Sequence, residues 1–246
     1  MNWLRPLGST GLEVSAIGLG TVKLGRDRGV KYPAAFTIPD TRAARDLLAQ
    51  ARDLGINLID TAPAYGDSEL RLGELLRGQR NHWVLCSKVG EEFEGGRSLF
   101  DFSPRHTRGS VRRSLQRLET DVLDLVLVHS DGDDLRIIKE CGTLETLQDL
   151  KREGLIRAFG MSTKTPAGGL AAAKLCDVVM LTSRLKRGAL VKKALASGHL
   201  AEDYPDPVQA SMDLVLSHPG TSAAVIGTID PAHLRDNVAA ARNALT

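Results

Sequence analysis

The order in which strand-like and helix-like stretches follow one another constrains this chain more than any other feature. From Ala16 onward, short apolar runs at 16–20, 56–60, 83–88, 122–128, 156–161, 178–182, 189–193 and 223–227 alternate with segments whose apolar residues recur at helical spacing. Leu47, Ala51 and Leu54 form one such set, Val111, Leu115 and Leu118 a second, and Leu144, Leu147 and Leu150 a third. Strands that alternate with helices call for a parallel sheet with crossover helices. Eight of them favour a closed (β/α)8 TIM barrel of the α/β class over an open sheet, and 246 residues are an ordinary length for one. The whole chain, 1–246, is read as one barrel domain.

Local signals support the helices. Ser103-Pro104, Thr165-Pro166, Asp206-Pro207 and Asp230-Pro231 each pair a capping oxygen with a proline suited to the first helical position. Ahead of the first barrel strand, Leu7-Gly8-Ser9-Thr10-Gly11-Leu12 reads as two short strands about a glycine turn, an N-terminal β-hairpin plug for one end of the barrel. One connection breaks the pattern: only Ser183 to Gly188 separate the sixth strand from the seventh. Six extended residues reach roughly 20 Å, enough to return along a short strand of about 13 Å, whereas a parallel crossover takes about a dozen residues or more. The sixth helix is expected to be missing, either because a segment was lost or omitted or because the barrel carries an uncovered flank.

Composition narrows the function. Thirty-two basic and thirty acidic side chains leave a net charge of +2, with no Lys/Arg block interleaved with aromatics, so nucleic acid is not the expected partner. Cys86, Cys141 and Cys176 are scattered and lack metal-ligand spacing, which argues against a disulfide framework and a zinc site. The start, Met1-Asn2-Trp3-Leu4-Arg5-Pro6, has no apolar signal-peptide core, and no run approaches the eighteen or so apolar residues that span a membrane. A soluble, cytoplasmic, metal-independent protein is the expectation, with no membrane partner and an oligomeric state the sequence leaves open.

Four polar residues stand where strands give way to loops. Asp60 ends the second strand, and Tyr65 follows after Pro63 and before Gly66, which forbid the strand's continuation; Lys88 and His129 end the third and fourth. In a barrel these ends converge on one face. Tyrosine, with a pKa near 10, needs a cation to exchange protons at neutral pH. A charge about 4 Å away contributes roughly 4 kcal/mol at an effective dielectric of about 20, or about three pKa units. Lys88 is therefore expected to bring Tyr65 toward 7, Asp60 to hold Lys88 charged, and His129 to orient a substrate oxygen.

The chain resembles the aldo-keto reductases along nearly its whole length. The resemblance rests on Gly18-Leu19-Gly20-Thr21, Gly55 to Gly66, Ser87-Lys88-Val89-Gly90, Asp124 to His129, Gly160-Met161-Ser162 and Gly227-Thr228 with Asn237. It implies an NAD(P)H-dependent oxidoreductase that reduces aldehydes or ketones, or oxidises sugar lactols or alcohols, by hydride transfer. Tyr65 would be the general acid, with Lys88 and Asp60 tuning it and His129 placing the carbonyl. For the cofactor it implies Gly20, Thr21, Asp60 and Ser162 on the nicotinamide side, Leu195, Ser197 and Gly198 over the pyrophosphate, and Gly227, Thr228, His233 and Asn237 toward the adenosine. Thr163 stands where the family usually has Asn, and Ser183 where it has a stacking aromatic.

Asp230 near the expected 2′-phosphate position makes use of NADH plausible, with Arg235 or Lys193 able to compensate; as the residue before Pro231, Asp230 is first of all a helix cap. Asp131-Gly132-Asp133-Asp134 matches no EF-hand loop and is read as solvated. The stretches 26–39, with Tyr32 and Phe36, and 91–103, with Phe93, Phe100 and Phe102, either shape the substrate pocket or pack on the rim. The rival reading is a nicotinamide-binding barrel with little or no catalysis, serving as scaffold or sensor. A metal-dependent hydrolase on the same fold is weaker, since no strand-end HxH pattern occurs.

Overall fold

The computed structural model describes residues 2–181, 189–192, 194–195 and 205–246. Eight parallel strands close into a barrel: β3 (Ile17–Gly20), β4 (Leu58–Asp60), β5 (Val84–Val89), β8 (Leu123–His129), β9 (Ile156–Ser162), β10 (Val178–Leu181), β11 (Ala189–Lys192) and β12 (Thr221–Ile226). Each pairs with the next, and β12 returns to β3, with Ile226 opposite Leu19. These are the eight runs read from the sequence, with boundaries moved by a residue or two.

The helices follow the caps. Asp40, Ser103, Thr165, Asp206 and Asp230 accept backbone N–H bonds at the starts of α1 (Thr41–Asp53), α3 (Pro104–Arg117), α6 (Pro166–Leu175), α7 (Pro207–Leu216) and α8 (Pro231–Asn243). Helix α2 (Ser68–Leu75) follows β4, and two helices, α4 (Asp134–Glu140) and α5 (Thr143–Arg152), follow β8. Seven residues, 182–188, separate β10 from β11 in the sequence. The expected loss of the sixth helix falls on them, and they lie outside the described residues.

Side chains alternate across each strand, so every strand serves two cores. Ile59, Leu85, Val126 and Val128 face outward and pack with helical residues such as Leu47, Leu72, Val111 and Leu147. Leu58, Cys86, Leu125, Leu127, Ala158, Met180, Leu190 and Ala223 face inward, where Leu7, Leu12 and Val14 join them. The hairpin of β1 (Leu4–Pro6) and β2 (Glu13–Ser15) thus plugs the barrel floor. Its turn is closed by the Leu7 N–H to Leu12 carbonyl bond of 2.8 Å.

Two stretches differ from the sequence reading. Residues 91–103 contain an antiparallel hairpin, β6 (Glu91–Glu94) and β7 (Arg97–Phe100), with Phe93 opposite Ser98. It stands over the strand ends and is tied to α3 by Glu92, which meets both Arg113 and His106. The acidic run is not a solvated loop. Asp133 caps α4, and the buried Asp134 accepts bonds from the Thr165 N–H (2.7 Å), the Thr165 hydroxyl (2.7 Å) and the Lys164 N–H (3.1 Å). Charge density misled there: a carboxylate that satisfies several donors at once can be buried at small cost.

Candidate active site

Strand parity builds the site. Asp60, Lys88, His129 and Lys192 each lie two residues beyond an inward-facing side chain, namely Leu58, Cys86, Leu127 and Leu190, and Ser162 lies four beyond Ala158. All five therefore stand on the inner face at the C-terminal ends of their strands. Register levels them: Gly20 is opposite Asp60, and His129 opposite Ser162.

Tyr65 arrives from a loop. Pro63–Tyr65 form a single 3₁₀ turn, closed by the Tyr65 N–H to Ala62 carbonyl bond of 3.0 Å. Gly66 then takes φ of +61°, and a Cβ there would stand 2.1 Å from the Gly25 carbonyl oxygen. Only glycine fits that turn. Arg26 holds it from outside, donating to the Ala64 carbonyl at 3.0 Å while its guanidinium lies 3.4 Å over the Phe93 ring.

The four residues come together. The Lys88 ammonium lies 2.7 Å from Asp60 Oδ1, 2.8 Å from the Thr61 carbonyl and 4.8 Å from the centroid of the Tyr65 ring. The ring of His129 stands edge-on to Tyr65, with centroids 6.2 Å apart and planes at 87°. Its Nδ1 lies 2.8 Å from Glu91 Oε2, at an angle too oblique for a linear N–H···O bond.

Burial disfavours the Lys88 charge, yet the Asp60 carboxylate outweighs it and holds the ammonium above its ordinary pKa. Tyr65 corrects the sequence argument. Burial pushes its hydroxyl up, Lys88 pulls it down, and Asp60 pushes it up again, leaving it well above its ordinary value rather than near 7. The Lys88 cation alone would lower it, but desolvation of the phenolate outweighs that cation. Burial also pushes His129 down against the pull of Glu91, with Lys88 and Lys192 adding to the push. Burial by itself pushes Glu91 up, but His129, the Ser98 hydroxyl and the Arg26 charge outweigh it and hold the carboxyl at about 2.

The remaining sequence-predicted residues are placed as follows. Gly20 and Gly227 face each other, since a Cβ on Gly20 would come within 3.5 Å of the Gly227 Cα. The Thr21 hydroxyl is buried, donating to the Asp60 carbonyl at 2.9 Å and accepting from Ser68 of α2 at 2.8 Å, so it braces the end of β3 against β4 and α2. The Ser162 hydroxyl accepts from Lys192 Nζ at 2.8 Å, and the Thr163 N–H donates to the Met180 carbonyl at 2.9 Å. Thr228 accepts from the Asp230 N–H, Asn237 is buried on α8, and His233 is exposed one turn earlier. Leu195 is half-buried, whereas Thr182, Ser183, Lys193, Ser197 and Gly198 lie outside the described residues.

Asp230 caps α8 through bonds from the N–H groups of Ala232 and His233, which lower its pKa. Around the first loop, Lys23 lies 4.1 Å over Tyr32 and 5.0 Å over Phe36. Phe102 is buried in the core, while Phe100 stays exposed. Sequence reasoning missed two site residues. Lys192 was detectable as the inward position after Leu190; Glu91 was not, because a hairpin brings it to His129. Among the described residues, no helix is long and apolar enough to cross a membrane, and no three His, Cys, Asp or Glu side chains are grouped to hold a metal.

The sequence pattern of the Aldo/keto reductase family matches residues 16–186. The chain belongs to the aldo-keto reductase family. Among family structures, a candidate aldo-keto reductase from Pseudomonas aeruginosa is 59% identical, with a TM-score of 0.89 covering 100% of this chain and 96% of that one. The NADH-specific methylglyoxal reductase of Escherichia coli is 36% identical over 168 residues, 63% of this chain and 50% of that protein. The L-galactose dehydrogenase of Arabidopsis thaliana is 38% identical over 169 residues, 65% of this chain and 48% of that protein. The chain thus spans about half the length of the curated relatives it matches.

Proposed function

We propose that the chain interconverts a small aldehyde, ketone or sugar lactol with its alcohol or lactone partner, using NADH or NADPH, with Tyr65 exchanging the proton. The observation that carries this reading is the buried Asp60–Lys88 pair lying beside Tyr65, with His129 across the ring. Tyr65, held protonated by burial, is in the form that gives a proton to a carbonyl oxygen. Once it has done so, the fixed ammonium of Lys88 is the nearest charge that stabilises the phenolate left behind. His129 on the opposite side of Tyr65 orients the substrate oxygen.

The rim fits a nicotinamide cofactor. Facing glycines at 20 and 227 leave the backbone bare where a side chain would intrude, Ser162, Thr163 and Thr228 stand at or just past the C-terminal ends of β9 and β12, and Asn237 is buried on α8, which follows β12. A bound reduced nicotinamide supplies the hydride that the carbonyl carbon accepts. Gly20, Asp60 and Ser162 would hold its reactive end, and Gly227, Thr228, His233 and Asn237 its adenosine end.

Titration with NADH and NADPH, followed by nicotinamide fluorescence, tests the pocket, and an aldehyde screen that includes methylglyoxal tests the chemistry. Tyr65→Phe is expected to bind cofactor normally and to turn over at least about a hundredfold more slowly. Full activity in that variant would remove Tyr65 from the mechanism. Cofactor binding with no turnover of any carbonyl or sugar would favour the rival, non-catalytic barrel, to which the seven-residue link between β10 and β11 lends weight.

A further inference from the structure

Glu91 has no part in the reading above, yet it is the carboxylate that faces His129. It opens the hairpin β6–β7, is nearly buried, and its Oε2 stands 2.8 Å from His129 Nδ1. Its other oxygen accepts from the Ser98 hydroxyl at 2.6 Å, across the hairpin. Arg26, anchored on the Ala64 carbonyl and on the Phe93 ring, adds its charge from the far side. The carboxylate is thus clamped in place before any ligand arrives.

A neutral imidazole carries one proton, on Nδ1 or on Nε2. Were Nδ1 bare, its lone pair would face a carboxylate lone pair at 2.8 Å, with both groups largely withdrawn from water. That arrangement is repulsive, so the proton belongs on Nδ1 even though the contact is oblique. Nε2 is then the bare nitrogen, and it is the one left for a ligand.

Resting on the proposed oxidoreductase reading, we infer that Glu91 is a positioning residue for His129, fixing its tautomer so that the neutral ring offers Nε2 as a hydrogen-bond acceptor. In that state His129 receives the hydroxyl of an alcohol or lactol. It donates to a carbonyl oxygen only after a second proton reaches Nε2. Oxidation is therefore served by neutral His129 and reduction by its cation, and the two directions should differ in pH dependence. The other groups that set this balance are Lys88 on β5 and Lys192 on β11, which oppose the cation, and the hydroxyl of Tyr65 in the 63–65 turn.

The test is histidine-selective ¹⁵N and ¹³C NMR of the full chain, with His129 assigned through H129Q. Wild type is expected to show the Nδ1–H tautomer when neutral. E91A is expected to shift it toward Nε2–H, and E91Q to titrate at lower pH, because the carboxylate charge that favours the cation is gone. An Nε2–H tautomer in wild type, or a tautomer and titration unchanged in both variants, would overturn the inference. Kinetics give the second readout. With methylglyoxal as the carbonyl, the alkaline limb of kcat/KM for reduction, where the His129 cation loses its proton, should move to lower pH in E91Q. In E91A, kcat/KM should fall about tenfold or more, with nicotinamide Kd within about twofold of wild type. A tautomer that switches while the pH profile stays put would also sink it. Absence of turnover in wild type would refute the oxidoreductase reading alone, since the NMR arm reads His129 without substrate.

Discussion

The ammonium of Lys88 and the carboxylate of Asp60 meet at 2.7 Å, with side chains only 2% and 5% exposed, beside the ring of Tyr65. Two adjacent strands deliver them. Asp60 is level with Cys86, and Lys88 stands one inward position higher, so the cation reaches back over the acid while donating a second hydrogen bond to the Thr61 carbonyl.

Because the pair is buried, its halves are not independent. Removing Asp60 alone leaves a desolvated ammonium, and D60A is expected to lower unfolding free energy by about 3–5 kcal/mol. K88M in the same background should recover part of that loss. Urea unfolding of wild type, both single variants and the double variant gives the coupling; additive losses would show that the two side chains do not act as a pair.

Stability should fall in acid through the Glu91–His129 contact. Glu91 has a folded pKa of about 2, lowered from 4.5, so its stabilisation is complete above about 4.5 and is lost as pH falls toward 2. His129 is also lowered from 6.5 when folded, so the unfolded chain takes up its proton first and acid again favours unfolding. The Glu91 share is on the order of 3 kcal/mol. Urea midpoints measured from pH 7 down to 3 should drop in wild type, and E91Q should flatten the part below about 4.5; equal slopes would contradict the assignment.

Gly66 is expected to tolerate no side chain. With φ at +61° and the Gly25 carbonyl in the way of a Cβ, G66A must shift the turn that presents Tyr65. A loss of at least about 1–2 kcal/mol in unfolding free energy, together with a lower kcat, is the expected outcome. Wild-type values for both would mean that Tyr65 is held by other contacts.

Cofactor choice follows from Asp230. Its carboxylate caps α8 at the adenosine end of the proposed groove, and a second anion there is repelled. NADH should serve at least as well as NADPH in kcat/KM, and D230N should favour NADPH relative to wild type. A hundredfold preference of the wild-type chain for NADPH would refute this.

The amino-acid sequence by itself determined what depends on near neighbours. Eight apolar runs, the Ser/Thr/Asp-Pro caps and the glycine turn at 8–11 reappear as strands, helix starts and the plug, because strand parity, capping and φ preferences are local. Their places at strand ends likewise put Asp60, Lys88 and His129 on one rim, and strand parity would have added Lys192. What surrounds those residues was decided only by tertiary structure. Glu91 reaches His129 through a hairpin that no periodicity announced, Asp134 is buried because Thr165 and Lys164 come to it from thirty and more positions away, and the Thr21 hydroxyl is buried against β4 and α2, where it braces the end of its strand. The proton affinity of Tyr65 is the sharpest case: the sequence supplied the cation that lowers it, and only packing supplied the desolvation that outweighs that cation.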